Sequence, residues 1–232
     1  MTPKENLMNR SRPISLVRAI VKAKVLEADW PIGRVEDLVA FNPPHRLRRG
    51  QTARYLGMKA LPTEGSVAWS GEWRPFASGS RFMQWDTLFA RITPSLENGK
   101  TALVDFLDEG EIAAGSTEFI VLRPREGVPA GLPYCLARSA PFRAHAAANM
   151  TGSSGRRRVP AADLAAYPLP VPRPEALAAL GRALDPIFER IRIHAKELRG
   201  LDELLESLLP RLLSGELRFP TLRGPRTSCT GP

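Results

Sequence analysis

Apolar positions along the 232-residue chain follow helical spacing in two regions and fall into short runs in the region between them. Near the start, Ile14, Val17, Val21 and Val25 recur at spacings of three and four, which predicts a short helix with one apolar face. From Trp30 to about Tyr167 the texture changes to short apolar runs broken by Gly, Pro, Asn and Ser. WDTLFARI, KTALVDFL and TEFIVLRP are rich in β-branched and aromatic residues between turn signals and read as strands. LPYCLARSAPFRAHAAANM reads as helical, with Pro141 breaking or restarting the helix. The middle region is thus expected to be one mixed domain of ordinary size.

The third region is the most regular. After AAYPLPVPRPEA, whose Pro168, Pro170, Pro172 and Pro174 favour an extended connector, Leu177, Leu180, Leu184, Ile187, Ile191, His194, Leu198, Leu201, Leu205, Leu208 and Leu212 alternate at spacings of three and four. All but His194 are aliphatic, a seven-residue repeat over about five heptads, as in a coiled-coil seam. His194 reads as a polar layer or register device in that seam. Pro186 either kinks the helix or opens a new one with Asp185 as cap. Pro210 should disturb the last turn and Gly215 should end it. About 40 residues at 1.5 Å per residue make a helix near 60 Å long, longer than a domain of this size is wide. The seam is therefore expected to face a partner helix.

The expected fold class is α+β: one mixed α/β domain followed by a long coiled-coil-forming helix. The expected organisation is an N-terminal helical extension over 1–29, a binding domain over 30–170, the proline-rich connector and helix over 171–219, and a disordered tail over 220–232.

Charge narrows the function. The net charge is +9, with a sequence pI near 10.2, and such an excess predicts a polyanionic partner, nucleic acid above all. Residues 175–219 carry a net charge of −1, so the basic excess lies outside the helical region and mostly ahead of it. No apolar run approaches the roughly 20 residues needed to span a bilayer, and the basic N-terminus does not read as a secretory signal. Cys135 and Cys229 give no disulfide framework, and His45, His145 and His194 lie far apart, which argues for a reducing cytoplasm and no metal or other cofactor.

Three imitations of catalytic motifs fail on spacing. Asn42-Pro43-Pro44 is followed by His45 rather than the aromatic ring that an amino-methyltransferase needs to stack a flipped base. MTGSSGRRR lacks the GxxxxGK[ST] spacing of a phosphate-wrapping loop. Glu97 and Lys100 are three apart rather than in Glu-x-Lys spacing, and Cys135 with His145 lacks an orienting third group. Non-catalytic binding remains. The candidate DNA contacts are Arg46, Arg48, Arg49 and Arg54 in one loop, Arg91, Asn98 and Lys100 near a second, and Thr151, Ser153, Ser154, Arg156, Arg157 and Arg158 in a third. Basic side chains there would neutralise phosphates while hydroxyls and backbone N–H groups fix register.

In order, DTLFARITPSLENGKTALV, GSTEFIVLRP, MTGSSGRRRVPAADLAAYPLPVP and LLPRLLSGEL resemble the specificity subunit of type I restriction–modification systems, over about residues 30–219. The resemblance implies a target recognition domain followed by a spacer helix, with no catalytic activity of its own. In the family, two such units form an antiparallel coiled coil that holds two recognition domains apart, each reading half of an interrupted double-stranded DNA site. Separate methyltransferase (M) and restriction (R) subunits supply the chemistry. This chain has one unit, similar to the C-terminal half, so the implied partner of its seam (Leu177, Leu180, Leu184, Ile187, Ile191, Leu198, Leu201, Leu205, Leu208, Leu212) is a second copy or another half-subunit. A stand-alone DNA-binding regulator or anti-restriction decoy on the same domain is the alternative.

Overall fold

The computed structural model describes residues 15–26, 28–68, 71–153 and 155–217. Ile14, Ser154 and the whole of 220–232 lie outside the described residues. The chain divides into two units between Ala195 and Lys196.

The first unit is built on alternation. Strands β2 (Val39–Phe41), β6 (Thr87–Ala90), β7 (Thr101–Leu103) and β9 (Phe119–Pro124) form an antiparallel sheet in the order β2-β9-β6-β7. Successive side chains of a strand point to opposite faces, and here both faces are apolar. Phe89, Ile120 and Leu122 point into one core, while Leu88, Phe119 and Val121 point into another. The second core is closed by a sheet in the order β4-β3-β8-β5, made of β3 (Thr52–Leu56), β4 (Glu72–Pro75), β5 (Ser80–Phe82) and β8 (Ala113–Gly115). Only its β3–β8 pairing is parallel. Leu56, Phe82 and Ala113 are its buried contributions.

Helices cover the first core. α1 runs over 15–21 and continues as a π-helical turn, Lys22–Leu26. Its Val17, Val21 and Val25 are buried there, and Arg18 donates to the Arg138 carbonyl at 3.1 Å. The one-turn helix α2 (Val35–Leu38) buries Val35 and Leu38. α3 (Gly131–Ala137) and α4 (Ala140–Ala148) are separated by Arg138 and Ser139, with Pro141 in the first turn of α4, where its missing N–H costs nothing. α5 (Ala161–Ala165) buries Leu164. A Cβ on Gly131 would lie 1.8 Å from the Phe188 ring, so α3 approaches the long helix α6 (Pro174–Leu213) by main chain.

Two expectations about prolines are corrected. Pro168–Pro170 is not a bare connector but strand β10, antiparallel to β1 (Ile32–Arg34). The Val35 and Val171 N–H groups, flanking the two strands, donate to the Tyr167 and Pro31 carbonyls, so bonding there needs no proline N–H. Pro186 opens no new helix, since α6 runs without interruption from Pro174 to Leu213, through Pro210 as well. Leu184 and Phe188 are buried on either side of Pro186, so packing holds both turns although one backbone bond is lost. Gly215, at φ +78°, follows the helix end.

The apolar repeat of α6 serves two ends. Leu177, Leu180 and Leu184 are buried against their own domain, at 7%, 6% and 0% exposure, with Ile187 and Ile191 packed at the edge of the same core. Expected to face a partner helix, they are instead spent on the chain's own α3 and neighbours. The second unit contains the distal part of α6. There Leu201, Leu205 and Leu208 are 56%, 60% and 39% exposed, and Leu198 and Leu212 are half-buried. Leu204, Leu209 and Leu213, outside the repeat, are exposed too.

Candidate nucleic-acid interface

The third candidate loop is closed by its own main chain. Thr151 and Arg158 exchange both backbone hydrogen bonds, at 2.9 and 2.8 Å, and Gly152 and Gly155 take the positive φ values of the turn between them. Arg158 also pairs with Ile92 across an isolated bridge, and Val159 N–H donates to the Arg91 carbonyl at 3.0 Å. The residues 91–93 and 151–158, separate in sequence, are thereby brought together. Thr151 and Ser153 are exposed.

The three arginines of this loop have different jobs. Arg158 grips Glu118 through two nitrogens at 2.7–3.0 Å, and this pairing holds the Glu118 carboxyl below the usual range. Arg157 donates to the Met150 carbonyl at 2.9 Å. Arg156 is exposed and, among the described residues, its guanidinium has no carboxylate partner. Arg91, half-buried, also acts electrostatically on Glu118. In the neighbouring turn Asn98 is exposed, whereas the Lys100 ammonium donates to the Met58 carbonyl at 3.0 Å.

The first candidate loop, between β2 and β3, sits elsewhere in the unit, against the second sheet. Gly50 N–H donates to the Phe76 carbonyl and Phe76 N–H to the Gln51 carbonyl, so the loop extends the β3–β4 ladder. Arg46, Arg48 and Arg49 are exposed on it. Arg54 is not free: it pairs with Glu111 at 3.1 Å and lies 5.1 Å from the Trp73 ring centre. Close to the loop lies Asp86, fully buried, which takes two hydrogen bonds from Arg123 and one from Met83 N–H. His45 lies 3.7 Å from the same carboxylate. Burial pushes the Asp86 carboxyl up, against the pull of Arg123, and burial with Arg123 holds His45 below its ordinary value.

Sequence reasoning missed Arg74, stacked on Tyr55, and Arg81, stacked on Phe76. Each is an isolated arginine in a strand, so a search for basic runs passes over both. Strand pairing sets Arg74 opposite Ala53 in β3, and a hydrogen bond to the His45 carbonyl ties Arg81 to the β2–β3 loop. The exposed Trp73 on edge strand β4 was missed for the same reason. Among the described residues no group of His, Cys, Asp and Glu has the arrangement of a metal site, and no helix is long and apolar enough to cross a membrane.

No protein-family model matches the sequence. The chain is 26% identical over 224 residues to the EcoEI type I restriction enzyme specificity subunit of Escherichia coli, covering 92% of this chain and 37% of that protein. To the EcoAI type I restriction enzyme specificity subunit of the same organism it is 27% identical over 232 residues, covering 97% and 37%. Among solved structures, the HsdS subunit from Thermoanaerobacter tengcongensis matches with a TM-score of 0.49 at 14% identity, over 92% of this chain and 54% of that one. The type I restriction-modification S subunit from M. genitalium matches with the same TM-score and identity, over 90% and 57%. Along nearly its whole length the chain is similar to type I restriction enzyme specificity subunits, and it spans 37% of theirs.

Proposed function

We propose that this chain is a non-catalytic DNA-recognition unit of a cytoplasmic type I restriction–modification complex. It reads one half of an interrupted site and works with methyltransferase and restriction subunits. The observation that carries this reading is the sequence match to two specificity subunits over 92% and 97% of the chain. Two basic loops standing on a common scaffold support it, because a charged loop on rigid strands can approach a phosphate backbone without reordering. We also propose that 30–170 is the recognition domain and that Leu198, Leu201, Leu205, Leu208 and Leu212 form the seam for a second copy or another half-subunit. Burying such leucines would gain roughly 1.5–3 kcal/mol each.

Methylome sequencing of the host, with and without the gene, tests the reading. A methylated two-part motif that disappears on deletion is the expected result. DNA binding by the purified chain with no methyltransferase in pull-downs would favour the stand-alone regulator or decoy instead. Catalytic turnover by the chain alone would sink both.

A further inference from the structure

Between the β2–β3 loop, the start of β5 and the β8–β9 turn lies a concavity of about 370 Å³, lined among others by Asn42, Pro43, His45, Gly79, Arg81 and Thr117. Its walls are set by main chain. Asn42 stands at φ +46° because it is locked to Val121 twice: its N–H donates to the Val121 carbonyl at 2.8 Å, and its Oδ1 accepts the Val121 N–H at 2.9 Å. That leaves the side-chain NH2 of Asn42 as a donor with no hydrogen-bond partner among the described residues. Opposite, Gly79 at φ +129° packs so tightly that a Cβ would lie 2.0 Å from the Gly115 carbonyl oxygen.

Arg81 is the charged group of this concavity. One nitrogen, Nη1, donates to the His45 carbonyl at 2.9 Å, and the guanidinium carbon lies 5.2 Å from the Phe76 ring centre. A carbonyl and a ring therefore hold the side chain in place, yet no carboxylate reaches it among the described residues. The acidic groups of the neighbourhood are already neutralised: Asp86 beneath by Arg123, and Glu118, next to Thr117, by Arg158. A guanidinium offers five N–H donors in a planar fork that matches phosphate oxygens, and most of them are unspent here. An oriented cation beside an amide NH2 and a threonine hydroxyl, without a counter-ion, suits a phosphate group.

We propose that this concavity is a seat for one backbone phosphate of double-stranded DNA, gripped by Arg81 with Asn42 and Thr117, at the head of the exposed run Arg46, Arg48 and Arg49. The inference rests on the DNA-recognition reading above and adds a phosphate contact that no basic run announces.

Salt titration of binding to a short random-sequence duplex, using the full chain, tests it. Neutralising one phosphate contributes about 0.9 to the slope of log affinity against log salt. Arg81→Gln should lower the slope by about that amount and weaken binding roughly eightfold at 0.1 M salt, while Arg81→Lys should keep most of the slope. Thr117→Glu, at an exposed position, should weaken binding further by placing a carboxylate in the seat. Persisting DNA binding with an unchanged slope in Arg81→Gln, or unchanged affinity in Thr117→Glu, overturns the seat and leaves DNA recognition standing. A wild-type chain that binds no duplex removes both. Stabilisation of the protein by inorganic phosphate at constant ionic strength, together with an unchanged DNA slope, would assign the seat to free phosphate and overturn the DNA assignment.

Discussion

At the scale of single residues, the same side chain type divides into structural and available groups. Arg138 is buried and donates to the Thr63, Gly65, Gly99 and Thr101 carbonyls, which makes it a clamp on two loops. Arg156 has no such duty. Arg156→Ala should therefore reduce the salt slope of DNA binding by about 0.9 with no change in thermal midpoint, whereas Arg158→Ala should loosen the loop closed on Glu118. Salt titration and calorimetry of both variants separate these effects. Removing the Asp86 carboxylate leaves Arg123 without its partner, so Asp86→Ala should cost about 3 kcal/mol by denaturant titration. That is the low end for breaking a buried pair, since Arg123 keeps some solvent access.

The titrations have opposite signs. The folded pKa of His45 lies below its ordinary 6.5, so its contribution to stability is present above 6.5 and is lost as pH falls through the folded value. Glu118, held below its ordinary 4.5, behaves likewise in a more acid window, below 4.5. Asp86, raised above 3.8, works against them: it favours the folded state at low pH and loses that contribution as pH rises through its folded value. The thermal midpoint should therefore fall below pH 6.5, and His45→Gln should flatten that first part of the profile. Cys135 is buried with its thiol pushed up to about 12 by burial, so it should react with thiol reagents only after unfolding.

At the scale of elements, α6 carries the sharpest contrast. Leu184→Ala opens a cavity in the domain core and should cost about 2–5 kcal/mol of stability. Leu205→Asp changes an exposed position and should leave the folding midpoint unchanged while abolishing self-association or pairing with another half-subunit. Light scattering and denaturant titration of both variants check this. A Leu205→Asp protein that stays paired would remove the distal leucines from the interface. The strands show how local pattern and pairing share the work. WDTLFARI, KTALVDFL and TEFIVLRP were legible because their β-branched and aromatic runs are buried on both faces. Strands β1 and β10 were not, since β1 has no fully buried residue and β10 is two-thirds proline.

At the scale of the whole molecule, the +9 charge is spread over loops that belong to different sheets. Sequence counting found the runs at Arg46–Arg49 and Arg156–Arg158, because adjacent residues of one loop stay adjacent in space. It did not find Arg74 and Arg81, nor separate the occupied Arg54, Lys100, Arg157 and Arg158 from the available Arg46, Arg48, Arg49 and Arg156. Those distinctions depend on partners 40 or more residues away for Arg54, Lys100 and Arg158.

By itself the sequence determined whatever repeats at short range: the α+β class, the central strands, the Pro141 break, the long leucine-bearing helix and the loops where charge accumulates. Hydrophobic period, turn residues and local charge are all properties of neighbouring positions. The tertiary structure alone decided how those elements are used. It buried Leu177, Leu180 and Leu184 and left Leu201, Leu205 and Leu208 exposed, although all six obey one repeat. It also took Arg158 for Glu118 and left Arg156 open. Burial and ion pairing depend on what long-range folding places beside a residue, and no period along the chain records that.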